Sequence, residues 1–430
     1  MICTSDNNNS NISVKPLKSK KGVGRYRRLR DIQNDGKKDN RKRNILIIAV
    51  CIALFIACMI IFITDISGKT GDLKLAGFSF MENGKFGFMD KSGTVMIPAI
   101  YDERIYSFSE NLAVARLDGK YVYIDKNGTR KINAEYDFAR DFSEKLAAAE
   151  IDGKYGYINV KGEFIVPPEF ENANSFSEGL AAVKSGGLWG YIDKKGKYII
   201  NPQYESAANF SNGLAAVEKN GLWGIIDKKG KIIVEIIYQE IDKTFEDQFI
   251  PAKQDGLWGY INKKGKVVID FEYTSAGIFS ENLCGVSKNG LTGYINRKGE
   301  FIIDAVYSEV SDFSEGLAFV MEYGDKSGLG YAVIDKKGKN IISAQFSGHK
   351  SFRDGFAAAS AGNKWGVIDK KGSYIINPQY DAISDFESGL AIVRLGSKVG
   401  VIDKKGNVVI EIKYDNKDSN SYYGLSMVME

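Results

Sequence analysis

The sequence predicts an all-β tandem array of ten three-stranded meanders, each about 34 residues long, preceded by one transmembrane helix and a disordered basic tail. Three observations lead there. A phrase ending in glycine returns at residues 93, 128, 162, 196, 230, 265, 299, 338, 372 and 406, spaced by 34 or 35 residues with one step of 39. A fixed period of this length marks stacked units that share their cores with neighbours. Within each period, short β-branched runs alternate with glycine turns, and no apolar pattern of helical period is sustained. Finally, residues 45–63 read ILIIAVCIALFIACMIIFI, without a charge.

Taken in chain order, residues 1–44 form a basic tail, with 13 Lys/Arg against 4 Asp/Glu. Net charge is +4 over the whole chain, so the remainder carries −5. The tail is too polar to fold alone. Residues 45–64 are expected to be a helix that spans the bilayer, since 19 apolar residues match a ~30 Å hydrocarbon layer. The run exceeds a secretory signal core, and Thr64-Asp65-Ile66-Ser67-Gly68 offers no small-x-small cleavage site. Arg41, Lys42 and Arg43 place the tail in the cytoplasm and the repeats outside. A short linker, 65–76, leads to the repeat domain, 77–430. Tail binding to nucleic acid is less economical than a topological role for its charge.

Each repeat parses into three strands. In the copy at 214–234, Leu214-Ala215-Ala216-Val217-Glu218 ends at Asn220-Gly221, a pair suited to a tight hairpin with both central residues at positive φ. The second strand is Leu222 to Ile226. Asp227-Lys228-Lys229-Gly230 then turns into a β-branched third strand, Lys231 to Val234. Elsewhere Asn201-Pro202-Gln203-Tyr204 and Asn377-Pro378-Gln379-Tyr380 should end that strand, because proline cannot donate to a ladder. A linking segment follows, closing in phrases such as Phe176-Ser177-Glu178-Gly179-Leu180. Its Phe is expected to plug the seam between neighbours, and its Gly to make the bend.

The phrases Leu188-Trp189-Gly190-Tyr191-Ile192-Asp193-Lys194-Lys195-Gly196 and Leu222-Trp223-Gly224-Ile225-Ile226-Asp227-Lys228-Lys229-Gly230 resemble the WG-repeat (KWG) family of bacterial β-repeat proteins. The resemblance covers residues 77–430. The Trp slot is literal at Trp189, Trp223, Trp258 and Trp365, is Phe86, Tyr121, Tyr155 or Tyr331 elsewhere, and departs to Thr292 and Val399. Val122 and Ala332 break the Gly slot. The family is defined by its repeat and brings no catalytic residue to transfer.

Eleven first strands can be counted against ten hairpins, and ten blades exceed the usual range of about four to eight for propellers. An open twisted array, capped by a strand at each end, is therefore favoured over propeller-like closure.

Composition limits the chemistry. His349 is the lone histidine and lies in a polar link, so it is expected to be solvated. Histidine triads and His-rich metal sites are excluded. Cys3, Cys51, Cys58 and Cys284 give no disulfide framework. Turn carboxylates such as Asp193 and Asp227 each stand alone among lysines, which suits turn capping better than calcium. No cofactor and no enzymatic activity are expected. The candidate ligand surface is an aromatic row, Trp189, Trp223, Trp258 and Trp365, with a lysine rim, Lys194, Lys195, Lys228, Lys229, Lys263 and Lys264; Glu110, Glu144, Glu178, Glu281 and Glu315 should line a separate zone. Burial of the tryptophans between units is the simpler expectation. The expected function is a binding or scaffolding surface at the cell envelope, partnered with an envelope protein or wall polymer. The alternatives are a module for cell-wall glycan or anionic polymer and, third, an envelope hydrolase. Specific function should lie where copies differ, at 242–253 and 321–329.

Overall fold

The computed structural model describes residues 74–322, 324, 330–416 and 424–430. The tail, the expected helix at 45–64 and most of the linker lie outside the described residues, as does most of 323–329. No helix among the described residues is long and apolar enough to cross a membrane. Every regular element among them is a strand.

The repeat at 206–238 shows how the sequence makes the unit. Its sheet runs Ser206–Ala207, Leu214–Lys219, Leu222–Asp227, Ile232–Tyr238 in spatial order, all antiparallel. Asn220 and Gly221 take φ of 54° and 71°, the mirror-image turn that matches strand twist. Asp227 Oδ1 accepts the backbone N–H groups of Lys229 and Lys231, both at 2.9 Å, which satisfies the next turn locally. The carboxylate is a turn cap, as expected.

Two features of the unit differ from the sequence reading. The link supplies a fourth, two-residue strand beside the first, so a typical sheet has four strands rather than three. The third strand also does not stop at proline. Between Trp189↔Tyr204 and Tyr191↔Ile200 the register shifts, so the chain bulges over Asn201-Pro202-Gln203 and pairs again at Tyr204. The bulge places Pro202, which lacks an N–H, where no ladder bond is required. It also explains the Gly slot: a Cβ on Gly190 would lie 2.5 Å from the Ile200 carbonyl oxygen and 2.6 Å from Pro202 N. At Gly190 the third strand crosses too closely for a side chain. Val122 and Ala332 stand in this slot with their side chains buried.

Each seam between neighbours is an apolar cluster drawn from two repeats. Tyr191 of one unit packs on Phe210 of the next link at 4.8 Å between centroids, and its hydroxyl donates to the Ala208 carbonyl at 2.7 Å. Tyr157–Phe176 and Tyr294–Phe313 repeat the contact at 4.7 and 4.6 Å. The expectation that the link Phe plugs the seam holds. Ser177 Oγ donates to the Phe210 carbonyl at 2.6 Å, tying successive links together.

The favoured open arrangement is corrected by the ends of the chain. No single sheet closes into a barrel, but Leu425–Met429 pairs antiparallel with Leu75–Glu82, and Lys74 and Glu430 exchange backbone hydrogen bonds at 2.9 and 2.8 Å. The eleventh first strand is thus the outer strand of the first sheet, in the place that link strands occupy elsewhere. An open row of ten units would have nine seams. Among the described residues there are ten, and the tenth joins Ile392, Val399 and Val401 of the last repeat to Phe78, Phe80 and Met89 of the first. The array is a propeller-like ring. One irregularity interrupts it: Phe301–Val310 is a single ten-residue strand serving two repeats, which fuses their sheets into one of seven strands.

Candidate functional site

The aromatic row is neither fully buried nor free. Trp189, Trp223, Trp258 and Trp365 are all half-buried. Each is the second residue of the second strand, pairs with the terminal Tyr of its third strand (Tyr204, Tyr238, Tyr273 and Tyr380), and faces Lys184, Glu218, Lys253 or Ser360 across the hairpin. The simple expectation of burial between units therefore holds in part: each ring packs against a seam cluster and stays partly accessible.

Between Trp223 and Trp258 lies a cavity of about 300 Å³, floored by Ile241, Pro251 and Ala276 and edged by Glu240, Asp242 and Lys243. Lys243 places its ammonium 3.5 Å from the centroid of Trp223, a close cation–π contact. Lys253 pairs with Glu240 at 2.8 Å, and Asp242 accepts from Thr244 Oγ1 at 2.8 Å. Ile278 remains 47% exposed at the cavity's edge. This cavity falls on the divergent segment beginning at 242.

The lysine rim and the glutamate zone are not separate. Lys194 pairs with Glu144 at 2.9 Å and Lys228 with Glu178 at 3.0 Å, each lysine reaching the link of the preceding repeat. Lys336–Glu281 and Lys370–Glu315 repeat the arrangement. The same glutamates accept backbone N–H groups one repeat further on, as Glu178 does from Gly213 at 2.9 Å. Burial works against the Glu178 carboxylate, but Lys228 and the Gly213 N–H outweigh it and hold the group below the usual carboxylate range. Lys263 has no such ion pair, because Asn212 stands where the acid would be. Lys195, Lys229 and Lys264 use their backbone N–H on Asp193, Asp227 and Asn262, and their side chains lie exposed. Of the predicted basic row, Lys194 and Lys228 are thus neutralised in interlocking pairs, while the other four lysines keep no glutamate partner.

The lone histidine is half-buried rather than free in solvent. His349 belongs to the two-residue strand Gly348–His349 and stacks on Phe319 at 4.3 Å, with Tyr331 edge-on at 4.4 Å. Its Nδ1 is buried without a partner, and burial pushes the imidazole down to about 4. Sister links place Ala207, Ile241 or Ile383 there, so the ring fills a core position. Cys284 is likewise buried, its thiol 2.9 Å from the Tyr260 hydroxyl and pushed up to about 12 by burial. Neither group is set up as a nucleophile or a base.

Sequence reasoning missed the concave surface built by the links. Arg140, Asn174, Ser175, Asn209, Lys243 and Thr244, from four successive repeats, share one cavity of about 550 Å³. A second, of about 460 Å³, adjoins it through Arg140 and Ser175.

The chain matches the family described as WG containing repeat in ten segments: 86–121, 123–155, 155–189, 189–223, 223–258, 258–291, 293–326, 331–365, 365–398 and 400–430. No curated protein matches it. Among solved structures, it is similar to a crystal structure of the eukaryotic initiation factor, at 12% identity and TM-score 0.43 over 80% of this chain and 97% of that one. It is also similar to Hsv2p of Kluyveromyces lactis, at 13% identity and TM-score 0.30 over 45% and 71% of the respective chains. PorZ of Porphyromonas gingivalis, described as a bacterial surface component of the type-IX secretion system, follows at 11% identity and TM-score 0.25 over 73% and 52%. With the family match spanning nearly all of 86–430, this chain belongs to the WG containing repeat family.

Proposed function

We propose that this protein is a membrane-anchored ring that serves as a binding or scaffolding surface at the cell envelope. In this reading residues 45–64 cross the bilayer, residues 1–44 stay in the cytoplasm, and the repeats face outward. The binding reading rests on the row of half-buried aromatic rings with a cavity opening between Trp223 and Trp258. A scaffold built for catalysis would bring a base to a nucleophile, and the ring's histidine and cysteine are instead packed in separate seams. An envelope hydrolase is accordingly the weakest of the three readings.

Within the binding reading, a cell-wall glycan is favoured over an anionic polymer. The aromatic cavity combines ring faces with Glu240, Asp242 and Lys243 at its edge, the mixture that holds an apolar sugar face and its hydroxyls. The rim lysines Lys194 and Lys228 are already neutralised by glutamates, which weakens the polymer reading.

The test is pull-down of the full-length chain on purified wall glycan, with Trp258→Ala compared by melting temperature. Binding lost without a change in melting temperature supports the glycan reading. Unaffected binding sinks it, and binding abolished by salt alone moves the contact to Lys195, Lys229 and Lys264. Protease treatment of intact cells reads the topology: repeats that survive place the domain inside.

A further inference from the structure

Arginine is unevenly placed in this ring. Residues 77–430 hold seven arginines, and four of them, Arg104, Arg116, Arg130 and Arg140, fall between 104 and 140. Arg116 faces the aromatic slot where sister strands have Glu150, Lys184, Glu218, Lys253, Ser287 or Ser360, and only Arg394 of the last repeat matches it as an arginine. Three of the four, Arg104, Arg116 and Arg140, line the cavity of about 460 Å³ shared by the first links.

The same cavity is lined with aromatic faces. Tyr121 packs on Phe138 at 5.2 Å, and Phe138 continues to Tyr155 at 6.1 Å. Arg116 lies over Tyr121 at 5.6 Å and Arg140 over Phe138 at 5.5 Å, so guanidinium planes and rings alternate. Tyr106 stands 64% exposed at the entrance, with Arg104 at 6.0 Å.

Hydrogen-bonding capacity is left over. Arg140 is held by Nε alone, donating to the Ala173 carbonyl at 3.0 Å. Arg116 gives Nη1 to Glu103 at 2.6 Å, while its Nε is buried without an acceptor. The acids do not balance the site. Glu103 is engaged by Arg116, and Asp141 accepts from Ser107 at 2.5 Å.

We propose that this cavity is a binding site for a small organic oxyanion, a carboxylate or phosphate carried on a planar ring. The oxyanion takes the free guanidinium edges of Arg140 and Arg116, and the ring lies along Tyr106, Tyr121 and Phe138. Arginine suits this role because its planar fork bonds an oxyanion in two places while its face stacks on rings, which lysine cannot do. The site is separate from the Trp223–Trp258 cavity and stands whether or not glycan is bound there.

The experiment is calorimetric titration of the full-length chain with adenosine monophosphate, benzoate, adenosine and inorganic phosphate. Saturable binding of either ring-bearing anion is expected, stronger than that of adenosine or phosphate. The arm that wins distinguishes a phosphate source from a carboxylate source. Arg140→Gln is expected to weaken binding about tenfold, with Arg140→Lys failing to restore it. Tyr106→Ala should also weaken it, and this exposed residue can be removed without disturbing the seams, so it decides the matter if Arg140→Gln unfolds. Absence of saturable binding by both ring anions overturns the proposal. Phosphate binding as tightly as adenosine monophosphate and benzoate does so too, as does affinity unchanged in folded Arg140→Gln or Tyr106→Ala.

Discussion

At the residue scale, His349 is the most exposed to a change of conditions. Its imidazole sits between Phe319 and Tyr331 with Nδ1 unpaired. The folded ring therefore refuses a proton until about pH 4, whereas an unfolded histidine accepts one near 6.5. The sign follows directly. Between those values the unfolded chain binds more protons, so stability is intact above about pH 6.5 and falls as pH drops towards 4, by up to about 3 kcal/mol. His349→Ile, the residue that sister links carry as Ile241 and Ile383, should remove that part of the loss. Urea midpoints at pH 7 and pH 5 check this: an equal drop in both proteins would mean the imidazole is not responsible. The sequence showed the histidine but not its burial, because a two-residue strand has no period to read.

The strand-and-turn element was largely legible. Asn220-Gly221 and Asp227-x-x-Gly230 named their turns, since positive φ and side-chain capping are local requirements. What links one element to the next was not legible. Lys228 and Glu178 lie 50 residues apart, and their meeting depends on how successive repeats stack. The lysine is exposed, so Lys228→Ala is expected to cost little, about 0.5 kcal/mol. Glu178→Ala should cost more, about 1–2 kcal/mol, because it also leaves the Gly213 N–H without its acceptor. A double-mutant cycle by denaturant unfolding measures the pair, and a coupling energy near zero would show that the rim is ordered by the backbone bond alone. The candidate site divides the same way. Trp223 and Trp258 were readable as a row, but the cavity between them required the link at 240–243 to fold against both.

For the whole molecule, the count of repeats was readable and their closure was not. An unmatched strand looks like a cap until its partner is found at the other end of the chain, and Leu425–Met429 finds it in Leu75–Glu82. Stability in repeat arrays is approximately a sum over units and seams. Deleting residues 425–430 should remove the outer strand of the first sheet and weaken two seams, the one made by Phe78, Phe80, Val399 and Leu425 and the one that Val428 enters beside Phe88 and Ile97, leaving the others intact. The expected result is a folded but opened ring, seen as a larger radius of gyration in solution scattering with little change in far-ultraviolet circular dichroism. An unchanged radius would mean that the side-chain seam holds without the strand.

The backbone bonds between Lys74 and Glu430 also bear on how the protein is made. A ribosome delivers Leu75–Glu82 first and Leu425–Met429 last, so the opening strand waits with an uncovered edge through the synthesis of everything between. Such an edge invites pairing with other chains. A chain that stopped before residue 425 would keep that edge uncovered.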